Sequence, residues 1–514
     1  MANIKVFLNG EQKTVAETTT IRDLLPKQPE GTSVVLLLPG SVSREKTPHL
    51  RLTTSAGDIV IELAKEMTFP LPTGEVEQNL RVHFEDRNAV SFGPFPQEFT
   101  PDKNSYRYER GTVCLGSGGY DSNNAYLTFS RREHMADHGA ANGGAIIGKV
   151  IYGLGIMNRW KNGDTITHIE EVFSSTDSAN AKVTADFSTE VKDGMQIFSE
   201  LVITAEGYQE KHTEIDCACT ESVEHMLFCL RDSRFQIDRT ASTYIRDHTE
   251  GKLFAPQELQ KPRREGTVTV RTAGKGIGGL YVYTTDVPSN QHHTRTGAVT
   301  KGIELAKFSA EKTNLLVKAL PELFDLRGLP LGEAVDLAKK RGLKVMADNR
   351  DVIGRVVIGQ KPETTLEVLK EGKVSLSTIS LENVIDISLD YEKAPLSVDL
   401  FRRVTGLKRY AIGTMPFIYN LEDEMYLFKP PFSSGTNIIP ENTLKKPAKT
   451  NALALTNDSR QAVGMVGVRV VENKEYGPTG EPFGGTNIIG TVIDIEKLSV
   501  MKEGGTVYIR EIKQ

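Results

Sequence analysis

The chain has 514 residues and a formal net charge of −5. This length predicts several domains, because single hydrophobic cores stop growing beyond about 300 residues. The acidic balance argues against nucleic acid as the main partner, and no apolar run approaches the roughly 20 residues that cross a bilayer. The first residues lack the pattern of a secretory signal, and four cysteines are too few for a disulfide scaffold. We therefore expect a cytoplasmic protein.

The first segment, residues 1–45, has the pattern of a small β-grasp-like unit. An alternating strand ends at the hairpin dipeptide Asn9-Gly10, Thr19 or Thr20 can cap a short helix, and SVVLLLPG predicts a buried strand. The outline resembles the ubiquitin-like sulfur-carrier proteins. Those carriers need a free C-terminal Gly-Gly, whereas this segment runs on through GSVSREK, so we do not expect a carrier function.

A stretch near the middle of the first half recurs at the C-terminus. Gly143 to Val172 is similar to Gly484 to Ile512, and a fainter copy runs from Gly297 to Phe308. In the two stronger copies, Gly148 aligns with Gly490. Internal similarity of this kind indicates repeated structural units. It predicts that one all-β unit is used about three times.

The repeated units resemble cyclophilins. The first copy contains cyclophilin-type segments in the family's order: Thr54/Gly57–Leu63, Arg110–Val113, Ser122-Asn123, Gly148–Gly153 and Lys161–Ile166. The last copy has the pattern E-K-A-P-x-S-V before a helix, with Pro395 at the helix entrance. Between the second and last copies, residues 321–378 resemble a PASTA domain, with an apolar stripe at helical spacing and Gly342 near the helix end.

The predicted fold class is therefore mainly β with some α, built from cyclophilin-like β-barrel domains plus small β-grasp-like and PASTA-like units. The predicted domains are a β-grasp-like unit (1–45), cyclophilin-like domain 1 (46–178), a degenerate cyclophilin-like domain 2 (179–320), a PASTA-like domain (321–378) and cyclophilin-like domain 3 (379–514). Residues 430–449 are rich in proline and polar residues and are expected to form an exposed insertion.

Prolyl isomerisation in cyclophilins depends on an arginine in an F-H-R-x-I strand, with a glutamine a few residues on. The first copy has Arg81 and His83 in a different pattern, and RFQIDRTASTYIRD (234–247) and TMPFIYNLEDEMYLF (414–428) in the other copies lack it too. The copies are therefore expected to be non-catalytic surfaces, since a fold does not imply a function. A prolyl isomerase that acts as an assembly chaperone is the alternative.

Two cysteines, Cys217 and Cys219, form the sequence DCACTES. Thiolates are the usual ligands of iron–sulfur clusters, so this C-x-C pair is the candidate metal site. The alternative is that the thiols are small buried side chains, as free cysteines often are. Cys114 and Cys229 lie in apolar surroundings and are expected in the core.

Histidines and glycines supply weaker patterns. His134 and His138, and the pair His292-His293, are expected in solvated turns rather than in metal sites. The segment AGKGIGG (273–279) lies between two strand-like runs and does not open a helix. It therefore predicts a glycine-rich turn rather than a nucleotide-binding loop.

As a whole, the chain resembles the methanogenesis marker protein 3 family in its domain order and in its DCAC and GTNIIG segments. The resemblance implies an accessory subunit of the assembly that activates methyl-coenzyme M reductase, with the reductase subunits and an ATPase as partners. It also implies iron–sulfur clusters in that assembly. Three hypotheses follow: a non-catalytic scaffold, an iron–sulfur protein with Cys217 and Cys219 as ligands, and a prolyl isomerase.

Overall fold

The computed structural model forms two compact units, 1–322 and 323–514, and each is described by itself. Described residues are 3–38, 44–64, 74–175, 181–208, 215–349, 351–432, 436–442, 446–457 and 464–512. In these ranges the chain is mainly β with few and short helices, which confirms the predicted fold class. None of these helices is long and apolar enough to cross a membrane.

Most of the regular structure in both units is strand. The first unit contains β1 (Asn3–Leu8), β2 (Glu11–Ala16), α1 (Ile21–Leu24), β3 (Val34–Leu37), β4 (Arg44–Thr54), β5 (Gly57–Leu63), β6 (Gly74–Glu85), β7 (Ala89–Pro96), β8 (Tyr106–Tyr108), β9 (Thr112–Gly116), β10 (Asn124–Ser130), β11 (His134–Ala136), β12 (Ile146–Tyr152), α2 (Leu154–Met157), β13 (Thr165–Ser175), β14 (Ala181–Thr184), β15 (Gln196–Phe198), β16 (Leu201–Ala205), α3 (Thr220–Cys229), β17 (Arg234–Gln236), β18 (Arg239–Ala241), β19 (Tyr244–Asp247), β20 (Thr267–Arg271), β21 (Leu280–Tyr283), β22 (His293–Lys301), α4 (Ile303–Phe308) and β23 (Asn314–Leu320). The second unit contains α5 (Leu331–Lys340), β24 (Lys344–Ala347), β25 (Arg355–Lys361), α6 (Thr365–Glu371), β26 (Lys373–Ser380), β27 (Val384–Leu389), α7 (Pro395–Thr405), β28 (Ile412–Leu421), β29 (Met425–Phe428), β30 (Ala452–Thr456), β31 (Val466–Arg469), β32 (Thr486–Val492) and β33 (Thr506–Glu511).

The N-terminal sheet is assembled from two separate parts of the chain. Its strand order is β14-β3-β15-β1-β2, with β1 parallel to β15. Two of these strands, β14 and β15, lie within 181–198 and follow the first barrel in the chain. The sequence had assigned this segment to the second cyclophilin-like copy. Buried Met195 and Ile197 pack into the core that also contains Val6 and Leu36, which explains why the segment joins this sheet. Because β16 follows β15 after only a short connection, the sheet has no free carrier tail.

The first cyclophilin-like domain is a closed barrel in the order β10-β7-β6-β13-β4-β5-β12-β9. Its interior is apolar, and the largest side chain there is fully buried Trp160. The Trp160 ring lies 4.7 Å from that of Phe92 and 4.9 Å from that of Phe129, in edge-to-face contacts. Trp160 also donates from Nε1 to Thr54 Oγ1 over 3.4 Å. This aromatic cluster fills the barrel centre.

The central domain is an eight-stranded sheet in the order β17-β23-β16-β22-β20-β21-β19-β18. The third cyclophilin-like domain is a closed barrel in the order β27-β32-β30-β31-β29-β28-β33. A turn with Gly274–Gly276 in 3₁₀ conformation joins β20 to β21, as the sequence predicted, and no α-helix begins there. Pro395 begins α7, also as predicted.

The same glycine occurs at the same place in all three copies, which supports the predicted repetition. Gly148, Gly297 and Gly490 each face the neighbouring antiparallel strand, in the pairs β12–β5, β22–β16 and β32–β27. A Cβ at these positions would lie 2.3 Å from Glu62 O, 2.6 Å from Thr204 O and 2.1 Å from Ser388 O, respectively. Only glycine allows the two backbones to approach this closely.

The helices of the central and third domains share an unusual cap. In α3, the Glu258 carboxylate accepts from the backbone N–H groups of Glu221 and Ser222, at 3.3 and 2.8 Å. In α7, Glu441 accepts from the N–H groups of the next two helix residues after Pro395, at 2.9 and 2.8 Å. A carboxylate at a helix N-terminus also interacts favourably with the helix dipole. The two domains therefore share this detail as well as the glycine.

The cap of α7 corrects the expectation that 430–449 is an exposed insertion. Among the described residues of this segment, Ile438 is buried, and Glu441 N donates to Asn487 Oδ1 over 3.0 Å. The side chain of Asn487 in turn donates to Ile439 O over 2.8 Å. These polar contacts hold the segment against the barrel, although its composition is that of an exposed loop; residues 433–435 and 443–445 lie outside the described residues.

The PASTA-like segment forms a small sheet in which β24 is parallel and β25 antiparallel to β26. Leu331, Ala334 and Ala338 of the apolar stripe of α5 pack into its core, whereas Leu337 of the same stripe is exposed. Gly342 follows the helix in the left-handed conformation at φ 72°, as predicted. Helix α6 is an element that the sequence interpretation omitted. Thr364 precedes it in extended conformation and Gly372 ends it at φ 65°, which gives the segment both helix boundaries.

Candidate functional site

The two candidate metal ligands lie beside the N-terminus of α3. Cys217 is half-buried, and its Sγ is 4.0 Å from Ile215 O. Cys219 is buried and directly precedes the helix, but its side chain makes no capping bond, because Glu258 takes that place. Burial, together with the nearby carboxylates of Glu206 and Glu258, raises the pKa of Cys219 to about 12. The thiol is therefore protonated at neutral pH.

These surroundings do not fit an iron–sulfur cluster that this chain holds by itself. An iron–sulfur cluster usually takes four cysteine ligands, and Cys217 and Cys219 supply only two. In the described ranges, no group of three or more His, Cys, Asp or Glu side chains is placed to bind a metal ion. An iron–sulfur cluster at Cys217 and Cys219 stays a prediction, and it requires further ligands.

A thiol-labelling experiment checks this description of the cysteines. We expect iodoacetamide at pH 8 to modify Cys217 and Cys229 before the other two thiols in the folded protein, because both are partly exposed, Cys229 contrary to the expected core position. Burial also raises the pKa of Cys114 to about 12, so Cys114 and Cys219 should react only after unfolding. Peptide mass spectrometry over a time course gives the four rates, with a urea-unfolded sample as the control. Equal rates for Cys217 and Cys219 in the folded protein would contradict the structure.

The histidines of the first barrel domain come into contact, contrary to the expectation of a solvated turn. His134 Nε2 and His138 Nε2 are 3.0 Å apart, and the His138 ring lies 4.9 Å from that of Tyr108. Burial and the neighbouring His134 lower the pKa of His138 to about 4, so His138 is neutral at pH 7. His138, which follows β11, thus packs against Tyr108 on β8, the strand that pairs with β11.

Arg81 and His83, the residues considered for isomerase activity, lie on the exposed face of β6. Arg81 is exposed on β6, opposite Thr165 on β13. No described residue forms a hydrogen bond or ion pair with the Arg81 side chain. His83 is also exposed, and its ring lies 4.8 Å from that of Tyr126. This arrangement offers a single exposed cation on a barrel strand rather than a shaped catalytic pocket.

A pocket in the central domain brings several cationic side chains together. It lies over β18, β19, β20 and β21 and has a volume of about 360 Å³. Its lining contains five cationic side chains and no carboxylate. The cations are Arg239, Arg246, Arg263, Arg271 and Lys275, and three tyrosines, Tyr244, Tyr281 and Tyr283, form an aromatic wall.

Two of these arginines are held by neutral groups. Arg263 donates to Tyr283 Oη over 2.6 Å and from Nε to Pro288 O over 2.9 Å, and its guanidinium lies 4.8 Å from the Tyr283 ring centre. Arg271 donates from Nε to Ala273 O over 2.9 Å. Neither arginine forms an ion pair with a carboxylate in the part of the chain that the structure describes. Both positive charges are thus fixed in place without being neutralised.

His293 lies behind the two arginines. Its side chain is buried, whereas His292 is exposed in a turn, so the expectation of a solvated turn was wrong for His293 only. Thr269 Oγ1 is 2.9 Å from Nδ1, and Arg271 Nη1 is 3.4 Å from Nε2. Burial and the charges of Arg263 and Arg271 lower the pKa of His293 to about 3. A neutral imidazole can accept from Arg271, so it orients the guanidinium without adding positive charge.

Sequence interpretation missed this pocket because its residues are spread over 239–293 without a motif. A signal was nevertheless present in RFQIDRTASTYIRD, the segment that lacks the isomerase pattern. It places Arg239 directly opposite Arg246 across the β18–β19 pair. Like charges directly opposite each other destabilise a sheet, so such a pair indicates a site rather than a structural contact.

The chain is similar to one family model and to several proteins of methanogens. Residues 385–512 match a family model described as "Putative peptidyl-prolyl cis-trans isomerase domain". A UPF0288 protein of Methanosarcina barkeri is 33% identical over 525 residues, which cover 99% of this chain and 98% of that protein. A UPF0288 protein of Methanopyrus kandleri is 29% identical over 530 residues and covers 99% of both chains.

Solved structures similar to parts of the chain include two cyclophilins. A cyclophilin from Hirschia baltica is 12% identical, covers 27% of this chain and 76% of its own, and has a TM-score of 0.18. A cyclophilin-type peptidyl-prolyl cis-trans isomerase from Cryptosporidium parvum is 12% identical, covers 25% of this chain and 99% of its own, and has a TM-score of 0.18.

Proposed function

The chain belongs to the UPF0288 family of methanogenic archaea, and we propose that it is a non-catalytic accessory subunit of a multi-protein assembly. The observation that supports a non-catalytic role is the isolated, exposed position of Arg81 on the barrel strand β6. Three cyclophilin-type units without a catalytic arrangement in the described residues instead offer strands and loops to partners.

We propose further that the assembly is the ATP-dependent complex that activates methyl-coenzyme M reductase in the cytoplasm. The resemblance of the whole chain to the methanogenesis marker protein 3 family supports this assignment, as does membership of a family found in methanogens. The reductase subunits and an ATPase are the partners that the proposal names.

An anaerobic affinity purification of the tagged full chain from its native host tests the proposal. We expect reductase subunits and an ATPase to co-purify in fixed ratio, while the tag on an unrelated host protein recovers neither. A chain that is recovered alone would refute the proposal. A peptide isomerisation assay on the same material addresses the alternative. Rate enhancement that is lost in Arg81→Ala would establish the isomerase, and the absence of enhancement would exclude it.

Iron content provides a separate prediction. Because Cys217 and Cys219 supply only two of the four ligands that a cluster usually takes, we expect the isolated chain to bind no iron and to show no visible absorption under anaerobic conditions. If the predicted cluster exists, it should appear only in the purified complex and should be lost with Cys217→Ser/Cys219→Ser. A Cys114→Ser variant is the matched control, since Cys114 is fully buried in the first barrel. Iron on the isolated wild-type chain would contradict this expectation.

A further inference from the structure

The pocket of the central domain carries more positive charge than its own residues neutralise. Of its five cations, Arg246 is paired with Asp238, with Arg246 Nε and Asp238 Oδ1 at 3.0 Å. One carboxylate against five cations leaves four positive charges around about 360 Å³. Arg239 and Lys275 are exposed, whereas Arg263 and Arg271 are partly buried. A partly buried charge without a carboxylate partner costs free energy, so an anion bound beside Arg263 and Arg271 would offset that cost.

The arginines are also oriented before any ligand arrives. Arg263 is fixed by Pro288 O and Tyr283 Oη, and Arg271 by Ala273 O and the neutral imidazole of His293. Each of these partners is a neutral acceptor, so the guanidinium positions are set while their charge remains available. Such preorganisation lowers the entropy that is lost on binding.

The turn between β20 and β21 is shaped to let this arrangement form. A Cβ on Gly276 would lie 2.8 Å from Arg271 Cδ and 3.1 Å from Tyr281 Oη. The glycine therefore leaves room for the Arg271 side chain, and the preceding Lys275 is exposed at the edge of the pocket. The turn thus adds the exposed cation Lys275 to the two arginines, Arg263 and Arg271, that hydrogen bonds hold in place.

The chemistry of the lining points to phosphate. The planar guanidinium fork matches phosphate oxygens, and several clustered cations favour a multiply charged anion over a single carboxylate. The tyrosine wall adds an aromatic surface: the Tyr244 ring lies 5.0 Å from that of Tyr281, and Tyr244 is partly exposed. We propose that this pocket binds a small organic phosphate with more than one phosphoryl group, with Arg263 and Arg271 on the phosphate oxygens and Tyr244 beside the rest of the molecule.

Isothermal titration of the full chain with pyrophosphate, ADP and citrate tests the proposal at a fixed salt concentration. We expect pyrophosphate and ADP to bind in one-to-one ratio and citrate to bind at least tenfold more weakly, as roughly expected for a site that fits phosphate. Tighter binding of ADP that is lost in Tyr244→Ala would identify an organic phosphate. Equal binding of ADP and pyrophosphate would overturn the role of Tyr244 and leave a site for free pyrophosphate.

Charge-matched variants separate the pocket from general electrostatics. Arg271→Gln should weaken pyrophosphate binding roughly tenfold or more, because a charge-assisted bond is lost. Lys275→Gln, at an exposed position on the turn, should weaken it about threefold without changing the melting temperature. Arg234→Gln, an equal change of charge on β17 outside the pocket, should leave binding unchanged. The proposal is wrong if neither phosphate probe binds, if citrate binds as tightly, or if Arg234→Gln has the effect of Arg271→Gln.

Discussion

Replacing Trp160 by alanine should destabilise the first barrel domain by about 3–5 kcal/mol. The side chain is fully buried and packs edge-to-face on Phe92 and Phe129, so its removal leaves a large cavity between rings that cannot easily collapse. It also removes one hydrogen bond to Thr54 Oγ1, which keeps its bonds with Gly57 O and Ala56 N. Hydrogen exchange followed by mass spectrometry measures the effect where it arises: peptides from β4 to β13 should lose protection.

Two comparisons make this measurement specific to the barrel. Trp160→Phe retains an aromatic ring beside Phe92 and should lose clearly less protection than Trp160→Ala. Peptides from the third cyclophilin-like domain should exchange at wild-type rates in both variants, because Trp160 belongs to another core. The chain contains a single tryptophan, so wild-type fluorescence during urea unfolding reports this barrel alone. Unchanged protection in Trp160→Ala would mean that the cluster does not support the barrel.

The repetition of the fold could be predicted from sequence because it depends on local constraints. Gly148 and Gly490 must be glycine wherever two strands pair this closely, so they stay recognisable while neighbouring side chains vary. Pro395 and Gly342 were predictable for the same reason, since a helix end restricts its backbone locally.

The return of 181–198 to the N-terminal sheet was not predictable in this way. These strands are short, and the whole first barrel separates them in sequence from their partners β1 and β3. Nothing in a short apolar strand states which sheet it joins, because any sheet with an open edge and an apolar face can accept it.

The caps of α3 and α7 show a similar limit. Glu258 and Glu441 lie far from the helices that they cap, in irregular segments with no helical pattern. What the sequence does contain is the shared Ser-Val at 222–223 and 397–398, which places the two helices in one register. The cationic pocket was partly predictable from sequence. Arg239 and Arg246 are visible in one segment, but they form a pattern only once the pairing of β18 with β19 is known.

Alanine at the repeated glycines should damage each copy separately. A new Cβ would lie 2.1–2.6 Å from a backbone carbonyl oxygen of the paired strand. Backbone cannot move aside as the end of a flexible side chain can, so the strands must separate and lose ladder hydrogen bonds. We expect Gly148→Ala, Gly297→Ala and Gly490→Ala each to cost about 3 kcal/mol, at the upper end for overpacking. Hydrogen exchange should show the loss of protection in the substituted domain.

The PASTA-like domain offers a matched control for this series. Gly359 is also a strand glycine, on β25, but the nearest atom to its added Cβ would be Ser377 Cβ at 3.6 Å, an ordinary contact. Gly359→Ala should therefore be tolerated within about 0.5 kcal/mol. Equal losses at Gly359 and at the three repeated positions would show that strand glycines matter here for a general reason. Losses of stability confined to the repeated positions would show that the three domains share one constraint. That constraint is the close approach of two backbones at the corresponding pair of strands.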